Sequence, residues 1–275
     1  MTTPHSFLTN LNENQHNAVT APLGAQLVVA GAGSGKTRVI TARIAYLMAE
    51  HQVQPYQIVA LTFTNKAGKE MKERIASYLP DQALPFVGTF HSYCVRLLRR
   101  YSDLLPFKDF TILDTEDARS IIRKILQRYG LEKQITPSRM HGMISFEKNH
   151  LPKHKPDENP PVPFFREVYA AYEEEKAHAH AYDFDDLLVV ALDLFKNPDF
   201  VQQHQQRVQH LLVDEYQDTN QVQHELLRRM ALLADGKLAV QSICAVGDQD
   251  QSIYSWRGAQ ADNMDLFTKE FAPVT

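Results

Sequence analysis

The chain has 275 residues, 44% hydrophobic and 23% charged, a composition typical of a globular protein with a sizeable core. No apolar run reaches the length of a membrane span, and the N-terminus lacks the basic and apolar regions of a signal peptide. The formal net charge of −4 gives no support to nucleic-acid binding through bulk electrostatics, so such binding would need a local groove and stacking. We expect a cytoplasmic protein in which Cys94 and Cys244 are reduced core thiols.

The first motif is a Gly-rich loop between an apolar run and a helical pattern. The apolar run ends at Ala30, and apolar residues recur at helical spacing after Thr37. Strand, loop and helix in this order form the context of a P-loop, where backbone N–H groups and a helix N-terminus bind phosphate. Lys36 would reach the β- and γ-phosphates, and Thr37 would be a ligand of Mg²⁺. The residues that would close around the phosphates are Ala32, Gly33, Ser34 and Gly35. The strict pattern has glycine where Ala30 stands, and we expect the turn to tolerate this small residue.

Two further apolar runs, at residues 57–61 and 86–90, are predicted to be strands followed by helices. Phe63 comes just after the first run, at the edge where ligands bind in open α/β sheets. It is therefore either a core residue or a ligand contact. Thr89 lies near the end of the second run and His91 just after it; both can contact a phosphate, although His91 can equally cap or pack.

The alternation of strands and helices stops near Leu104. The expected elements beyond it are a strand at 110–113, helices near 114–130, 131–151, 164–180 and 184–196, and a Pro-rich loop at 152–163. The acidic run 173–175 is expected to be a solvated face, and His178 and His180 lack the partners of a metal site. The interval 105–195 is predicted to be a mostly helical insertion into an α/β domain.

The α/β pattern resumes with an apolar strand that ends in two carboxylates, Asp214 and Glu215. Downstream of a P-loop, the first would hold Mg²⁺, and the second would orient and deprotonate the attacking water. A helix is predicted at 220–234 and a strand at 242–246. After that strand come Tyr254, Trp256 and Arg257. Aromatic faces beside a cation can stack on bases, or they can pack a subdomain interface.

The order of these motifs resembles that of the UvrD/Rep-like superfamily 1 DNA helicases. The matching segments are Gln15, AGAGSGKT (30–37), TFTNKAGKEM (62–71), GTFHSYC (88–94), LLVDEYQDT (211–219) and VGDQDQSIYSWRGA (246–259). The resemblance implies an α/β fold: a P-loop NTPase (RecA-like) parallel sheet flanked by helices, with an inserted mostly α-helical subdomain. It also implies the division into a first domain part at 1–104, the insertion at 105–195 and a second domain part at 196–275.

The resemblance assigns a role to each matching residue. Gln15 would read adenine, an amide being both donor and acceptor, and Arg38 would stack on the ring. Gln251 would sense the γ-phosphate and couple it to DNA, and Glu215, Lys36 and Asp214 would complete the catalytic set. The residues implied to contact DNA or its coupling network are Phe63, Asn65, Thr89, His91, Tyr254, Trp256 and Arg257.

The implied activity is that of an ATP-dependent DNA helicase with ATP and Mg²⁺, acting 3′ to 5′ on single-stranded DNA and on single-strand/duplex junctions. Such a protein would be nucleoid-associated. Family members have a second RecA-like domain, which this chain lacks, and its arginines are typically worth 10³–10⁵ in rate. We therefore expect an N-terminal fragment that binds nucleotide weakly and does not unwind DNA alone.

Three alternatives remain open at this level. The first is a helicase–nuclease subunit of the same superfamily, with a nuclease domain beyond Thr275. The second is a non-catalytic DNA-binding module, which the intact Lys36, Asp214 and Glu215 disfavour. The third is a P-loop switch NTPase without DNA, which has no need of several aromatic residues at strand ends.

Overall fold

The structure is a computed structural model that describes residues 6–149, 162–248 and 263–275. The sequence predictions for Gln251, Tyr254, Trp256 and Arg257, and nearly all of the Pro-rich loop, lie outside these residues. The chain divides into two compact units: Met1–Tyr93 with Phe195–Thr275, and Cys94–Leu194. Because compactness alone does not define a domain, the boundaries predicted at 104/105 and 195/196 stay a prediction.

The first unit alternates helices and strands along the chain. Its elements are α1 (Glu13–Thr20), β1 (Gly24–Val29), α2 (Lys36–Ala49), β2 (Ile58–Thr62), α3 (Asn65–Tyr78), β3 (Phe86–Thr89) and the start of α4 (Phe90–Arg100), then α9 (Pro198–Arg207), β6 (His210–Val213), α10 (Gln221–Ala231), β7 (Ser242–Gly247) and α11 (Asn263–Glu270). In the described part of the chain, no helix combines the length and the apolar character needed to cross a lipid bilayer.

The strands of this unit form one parallel sheet in the order β1-β7-β6-β2-β3. β2, β6 and β7 are buried along their whole length, which explains their continuous apolar sequences. Their carboxyl ends lie along one edge, where β1 leads into the Gly-rich loop and β6 leads into Asp214. The predicted fold, a parallel α/β sheet of the P-loop type with flanking helices, is confirmed.

A buried arginine attaches α1 to the sheet-covering helix α2. The Arg43 guanidinium donates to the carbonyls of Val19 (2.8 Å), Ala21 (2.5 Å) and Pro22 (3.1 Å). These carbonyls lie at the end of α1 and just beyond it, where a helix has no internal donors left to satisfy them. At the other end, the Asn12 side chain accepts from the Gln15 amide in a capping box. The position of Gln15 is thus fixed by both ends of its helix.

The second unit is mostly helical, as predicted. Its elements, after the end of α4, are β4 (Thr111–Ile112), α5 (Thr115–Arg128), α6 (Pro137–Asn149), α7 (Phe165–His178), β5 (Ala181–Tyr182) and α8 (Phe184–Leu194). Helices α5, α6 and α7 share a core of aliphatic and aromatic residues that includes Ile122, Ile144 and Tyr172. The predicted strand at 110–113 is present as β4, which pairs in parallel with β5, a strand absent from the sequence prediction.

The acidic run 173–175 is at least partly exposed, and Glu173, with its side chain 44% exposed, also binds two lysines. Its carboxylate lies 3.0 Å from Lys148 Nζ and 2.9 Å from Lys176 Nζ, and both lysines are buried. The same two ammonium groups bind Asp183 and Asp186. Burial disfavours the Asp183 carboxylate, but the two lysines overcome this and hold its pKa below the usual range. Glu173 therefore lies at the border of a buried network in which each lysine needs a counter-charge.

Both cysteines are buried free thiols, as predicted. Burial raises the pKa of Cys94, and it raises the pKa of Cys244 to about 11. Neither thiol is therefore ionised at neutral pH, and both behave as small core residues.

Candidate nucleotide site and adjoining surface

The loop between β1 and α2 is shaped by two glycines in the left-handed region. Gly33 has φ +72° and Gly35 has φ +87°, conformations that L side chains rarely adopt. Gly35 is also the N-cap of α2 and supplies no side chain to the first N–H groups of the helix. Those donors and the helix dipole therefore face the loop, which is the arrangement that binds phosphate. Ala30 fits because its N–H donates to the Gly247 carbonyl (3.0 Å), so β7 fixes the start of the loop.

Lys36 brings the loop and two acidic residues together. The side chain is buried, and Nζ lies 3.3 Å from the Ala30 carbonyl, 3.4 Å from Asp248 Oδ2 and 3.9 Å from Glu215 Oε2. Asp248 was missed as a site residue in the sequence, although its place just after β7 was a usable signal. When a nucleotide binds, the Lys36 ammonium can replace its contact with a carboxylate by a contact with a phosphate, at little cost in hydrogen bonds.

Asp214 is buried beside a second carboxylate. Burial and the negative charge of Glu215 raise its pKa to about 6, although hydrogen bonds from the Glu215 N–H (3.1 Å) and the Thr37 hydroxyl act in the opposite direction. A hydroxyl and a carboxylate are hard oxygen ligands of the kind that Mg²⁺ binds. Since a cation would relieve the repulsion between Asp214 and Glu215, the residues present fit Mg²⁺.

Glu215 has a backbone conformation that non-glycine residues seldom adopt, with φ 49° and ψ 47°. Such conformations persist where the surrounding structure enforces them, often at functional sites. The carboxylate is about one-third exposed, at 37%, and accepts a hydrogen bond from Gln217 Nε2 at 2.8 Å. Burial and the Glu215 charge raise the pKa of the adjacent Asp218 to about 6. The exposed carboxylate at the strand end is placed to meet a water molecule.

The structure brings Gln15 to the phosphate loop. Its Nε2 donates to the Ser34 carbonyl (2.7 Å), and its Oε1 accepts from the Asn12 N–H (3.1 Å). Both ends of the amide are thus used within the chain, and reading an adenine would require one of these bonds to be exchanged. Arg38 is exposed on α2 and donates to the Asn10 carbonyl at 3.3 Å.

The residues predicted to meet DNA that the structure describes follow β2 and β3. Phe63 is half-buried, and its ring centroid lies 5.7 Å from that of Phe90. It is thus partly core and partly accessible. Asn65 is exposed as the first residue of α3, and Thr89 Oγ1 accepts from the Ser92 N–H (3.2 Å) at the start of α4. His91 is half-buried in the first turn of that helix. These residues share the carboxyl edge of neighbouring strands.

Comparison with known proteins agrees with this arrangement. A family model described as the UvrD/REP helicase N-terminal domain matches residues 11–272. Proteins named ATP-dependent DNA helicase PcrA are similar: that of Bacillus subtilis is 43% identical over 277 residues, and that of Staphylococcus aureus is 40% identical over 275. Each alignment covers 97% of this chain, and the chain spans 36% and 37% of the relatives' lengths, respectively. The chain belongs to the UvrD/REP helicase N-terminal domain family.

Proposed function

We propose that this chain carries the ATP site and part of the single-stranded-DNA-binding surface of an ATP-dependent DNA helicase. The observation that supports this most directly is the meeting of Lys36, Asp214 and Glu215 at one sheet edge, beside a phosphate-type loop. The similar proteins named ATP-dependent DNA helicase PcrA support the same activity. The 3′ to 5′ direction, the preference for junctions and the cytoplasmic, nucleoid-associated location stay predictions.

In this proposal each residue acts on a different part of the triphosphate. The loop N–H groups and the Lys36 ammonium neutralise charge on the β- and γ-phosphates. Mg²⁺, when bound by Thr37 and Asp214, would neutralise further charge on the phosphate oxygens. Glu215 orients a water molecule and takes its proton. Gln251, which lies outside the described residues, would sense the γ-phosphate.

The DNA part of the proposal rests on Phe63 and its neighbours on the same edge. A half-buried ring offers one face to a base while its other contacts keep it in place. Asn65, Thr89 and His91 would contact the DNA backbone from the same edge. Tyr254, Trp256 and Arg257 would extend this surface, as their resemblance to family positions implies. The rest of the DNA-binding surface and the residues on the other side of the ATP site would come from a C-terminal helicase domain.

The nucleotide site is tested by titrating a fluorescent ATP analogue into the chain with Mg²⁺. Lys36→Met is expected to weaken binding tenfold or more, because the buried ammonium that meets the phosphates is lost. The control is Lys69→Met, which removes an exposed lysine paired only with Glu73 and should leave affinity within twofold. Equal affinities of both variants would contradict the proposed site.

The DNA surface is tested through Trp256, the single tryptophan. Titration with a short single strand should quench its fluorescence, and Phe63→Ala should weaken binding by about five- to a hundredfold, as loss of one base stack of about 1–3 kcal/mol predicts. The control is Tyr56→Ala, since this exposed aromatic residue precedes β2 at the opposite edge of the sheet. Nucleotide binding without DNA binding would favour the switch NTPase instead.

A further inference from the structure

Gln217 is a buried glutamine whose side chain joins the segments that follow two central strands. Its Nε2 donates to Glu215 Oε2 at 2.8 Å, and its Oε1 accepts from the Asp248 N–H at 3.0 Å. Glu215 follows β6, and Asp248 follows β7. Both polar ends of the amide are therefore satisfied, and a single side chain ties the two strand ends together.

The turn that carries Gln217 is held in place by side chains of two helices. The turn Tyr216–Asp218 is fixed by Asn263 of α11, whose Nδ2 donates to the Gln217 carbonyl (3.0 Å) and the Thr219 carbonyl (2.8 Å). The Tyr216 hydroxyl lies 2.6 Å from His224 Nδ1 of α10, and this contact attaches the turn to that helix. Because these contacts hold the turn, the surrounding structure enforces the left-handed backbone conformation of Glu215, which precedes the turn.

Space for the amide exists because residue 247 is glycine. A Cβ built on Gly247 would lie 2.5 Å from Gln217 Oε1 and would also clash with Met264 Cε. Real Cβ atoms essentially never come so close, so a side chain at this position would expel the amide or distort the strand end. The absence of a side chain at Gly247 therefore leaves the space that the Gln217 amide occupies.

The hydrogen bond acts on the oxygen of Glu215 that also faces Lys36. Oε2 accepts from Gln217 and lies 3.9 Å from Lys36 Nζ. Without the amide, an exposed carboxylate so close to an ammonium would be drawn into a full ion pair. That pair would take the lysine from the phosphates and the carboxylate from the water. The amide instead holds Oε2 and leaves Oε1 of Glu215 for a proton.

We propose that Gln217 is a positioning residue that orients the Glu215 carboxylate and ties its position to the backbone of Asp248. The inference deepens the proposed function and rests on it, because it takes Glu215 as the base that accepts the proton of water. In this arrangement, one side chain sets the position of the Glu215 carboxylate relative to the Asp248 backbone, so hydrolysis depends on that bridge.

The test compares ATP hydrolysis by four variants of the 275-residue chain, with Mg²⁺ and single-stranded DNA, followed with radiolabelled ATP over hours so that a slow rate is measurable. Gln217→Glu keeps the shape and the acceptor, and its ionised form cannot donate to Glu215. Gln217→Leu removes both side-chain hydrogen bonds of Gln217, and Glu215→Gln gives the hydrolysis rate without the proposed base. Gln26→Leu is the control, because Gln26 is equally buried but donates only to the Ala18 carbonyl. Exchange of the Asp248 amide proton, measured by NMR without nucleotide, reports the second bond directly.

We expect Gln217→Glu to lower kcat tenfold or more with KM within threefold, while Gln26→Leu changes both by less than twofold. Gln217→Leu should also speed exchange of the Asp248 amide at least tenfold. If Glu215→Gln lowers kcat and Gln217→Glu does not, the inference is wrong and the proposed function stands. If Glu215→Gln hydrolyses ATP no more slowly than the unmodified chain, the proposed base is wrong and the inference falls with it.

Discussion

Replacing Asp214 with asparagine should stabilise the chain at neutral pH while damaging its Mg²⁺ site. Burial and Glu215 raise the pKa of this carboxyl from 3.8 to about 6. A raised pKa means that the folded chain prefers the protonated form, so stability is full below the unfolded pKa and falls as pH rises through 6. Asparagine resembles the protonated form at every pH, and it can still accept from the Glu215 N–H.

The size of the effect follows from the shift. About two pKa units correspond to about 3 kcal/mol at pH 8, and the same linkage leaves about 1 kcal/mol at pH 4.5. The Thr37 hydroxyl bonds less strongly to an amide than to a carboxylate, so a gain of about 1–3 kcal/mol at pH 8 is the realistic range.

The assay is urea unfolding of both chains without Mg²⁺ at pH 8 and at pH 4.5. Asp214→Asn should be the more stable at pH 8 and should lose most of its advantage at pH 4.5. Asp81→Asn, at an exposed position, should stay within about 0.5 kcal/mol of the unmodified chain at both values. Added Mg²⁺ should stabilise the unmodified chain more than Asp214→Asn at pH 8. An Asp214→Asn chain that is less stable at pH 8, or a gain independent of pH, would refute the electrostatic reasoning.

Three further substitutions test the packing around the site and in the helical unit. Gly247→Ala should destabilise the chain by about 1–3 kcal/mol in thermal unfolding, because its Cβ meets Gln217; an unchanged Tm would show that the strand end yields easily. Arg43→Met should cost about 2–4 kcal/mol by leaving three carbonyls without their donor, and a smaller loss in urea would mean that water replaces it. Asp183→Asn should cost about 3–5 kcal/mol at pH 7 and less as pH falls, since the folded pKa is lowered; Glu132→Gln, at an exposed site, is its control, and equal losses would contradict the buried network.

The site was predictable from the sequence where chemistry follows a buried strand directly. Asp214 comes just after an apolar run, and Lys36 follows another across a short Gly-rich loop; the parallel sheet brings such ends to one edge whatever the strand order. Asp248 obeys the same rule but was overlooked beside the more conspicuous aromatic residues that follow it. Gln217 has no comparable local signal, because its partner Asp248 becomes a neighbour only when β6 and β7 pair.

The helical unit was harder to predict for a different reason. A two-residue strand such as β5 has no period to detect, so only its pairing with β4 defines it. The lysine contacts of Glu173 were not predicted because the two lysines lie 25 residues before it and three after it, and only folding shows that both are buried. Helix α9 had a usable signal, with Asn197 as its cap and Pro198 in its first turn, which was not used.

The strand order has a consequence for how the chain reaches its folded state. β1 pairs with β7 on one side and forms a bridge to Val274 on the other, so both its partners are made more than 200 residues after it. During synthesis, β1, which leads into the proposed phosphate-binding loop, therefore stays unpaired until more than 200 further residues have emerged. Folding should be slow for a chain of this size, and a nascent segment ending before β6 should depend on chaperones. Nucleotide should speed only the last steps, after β7 has entered the sheet.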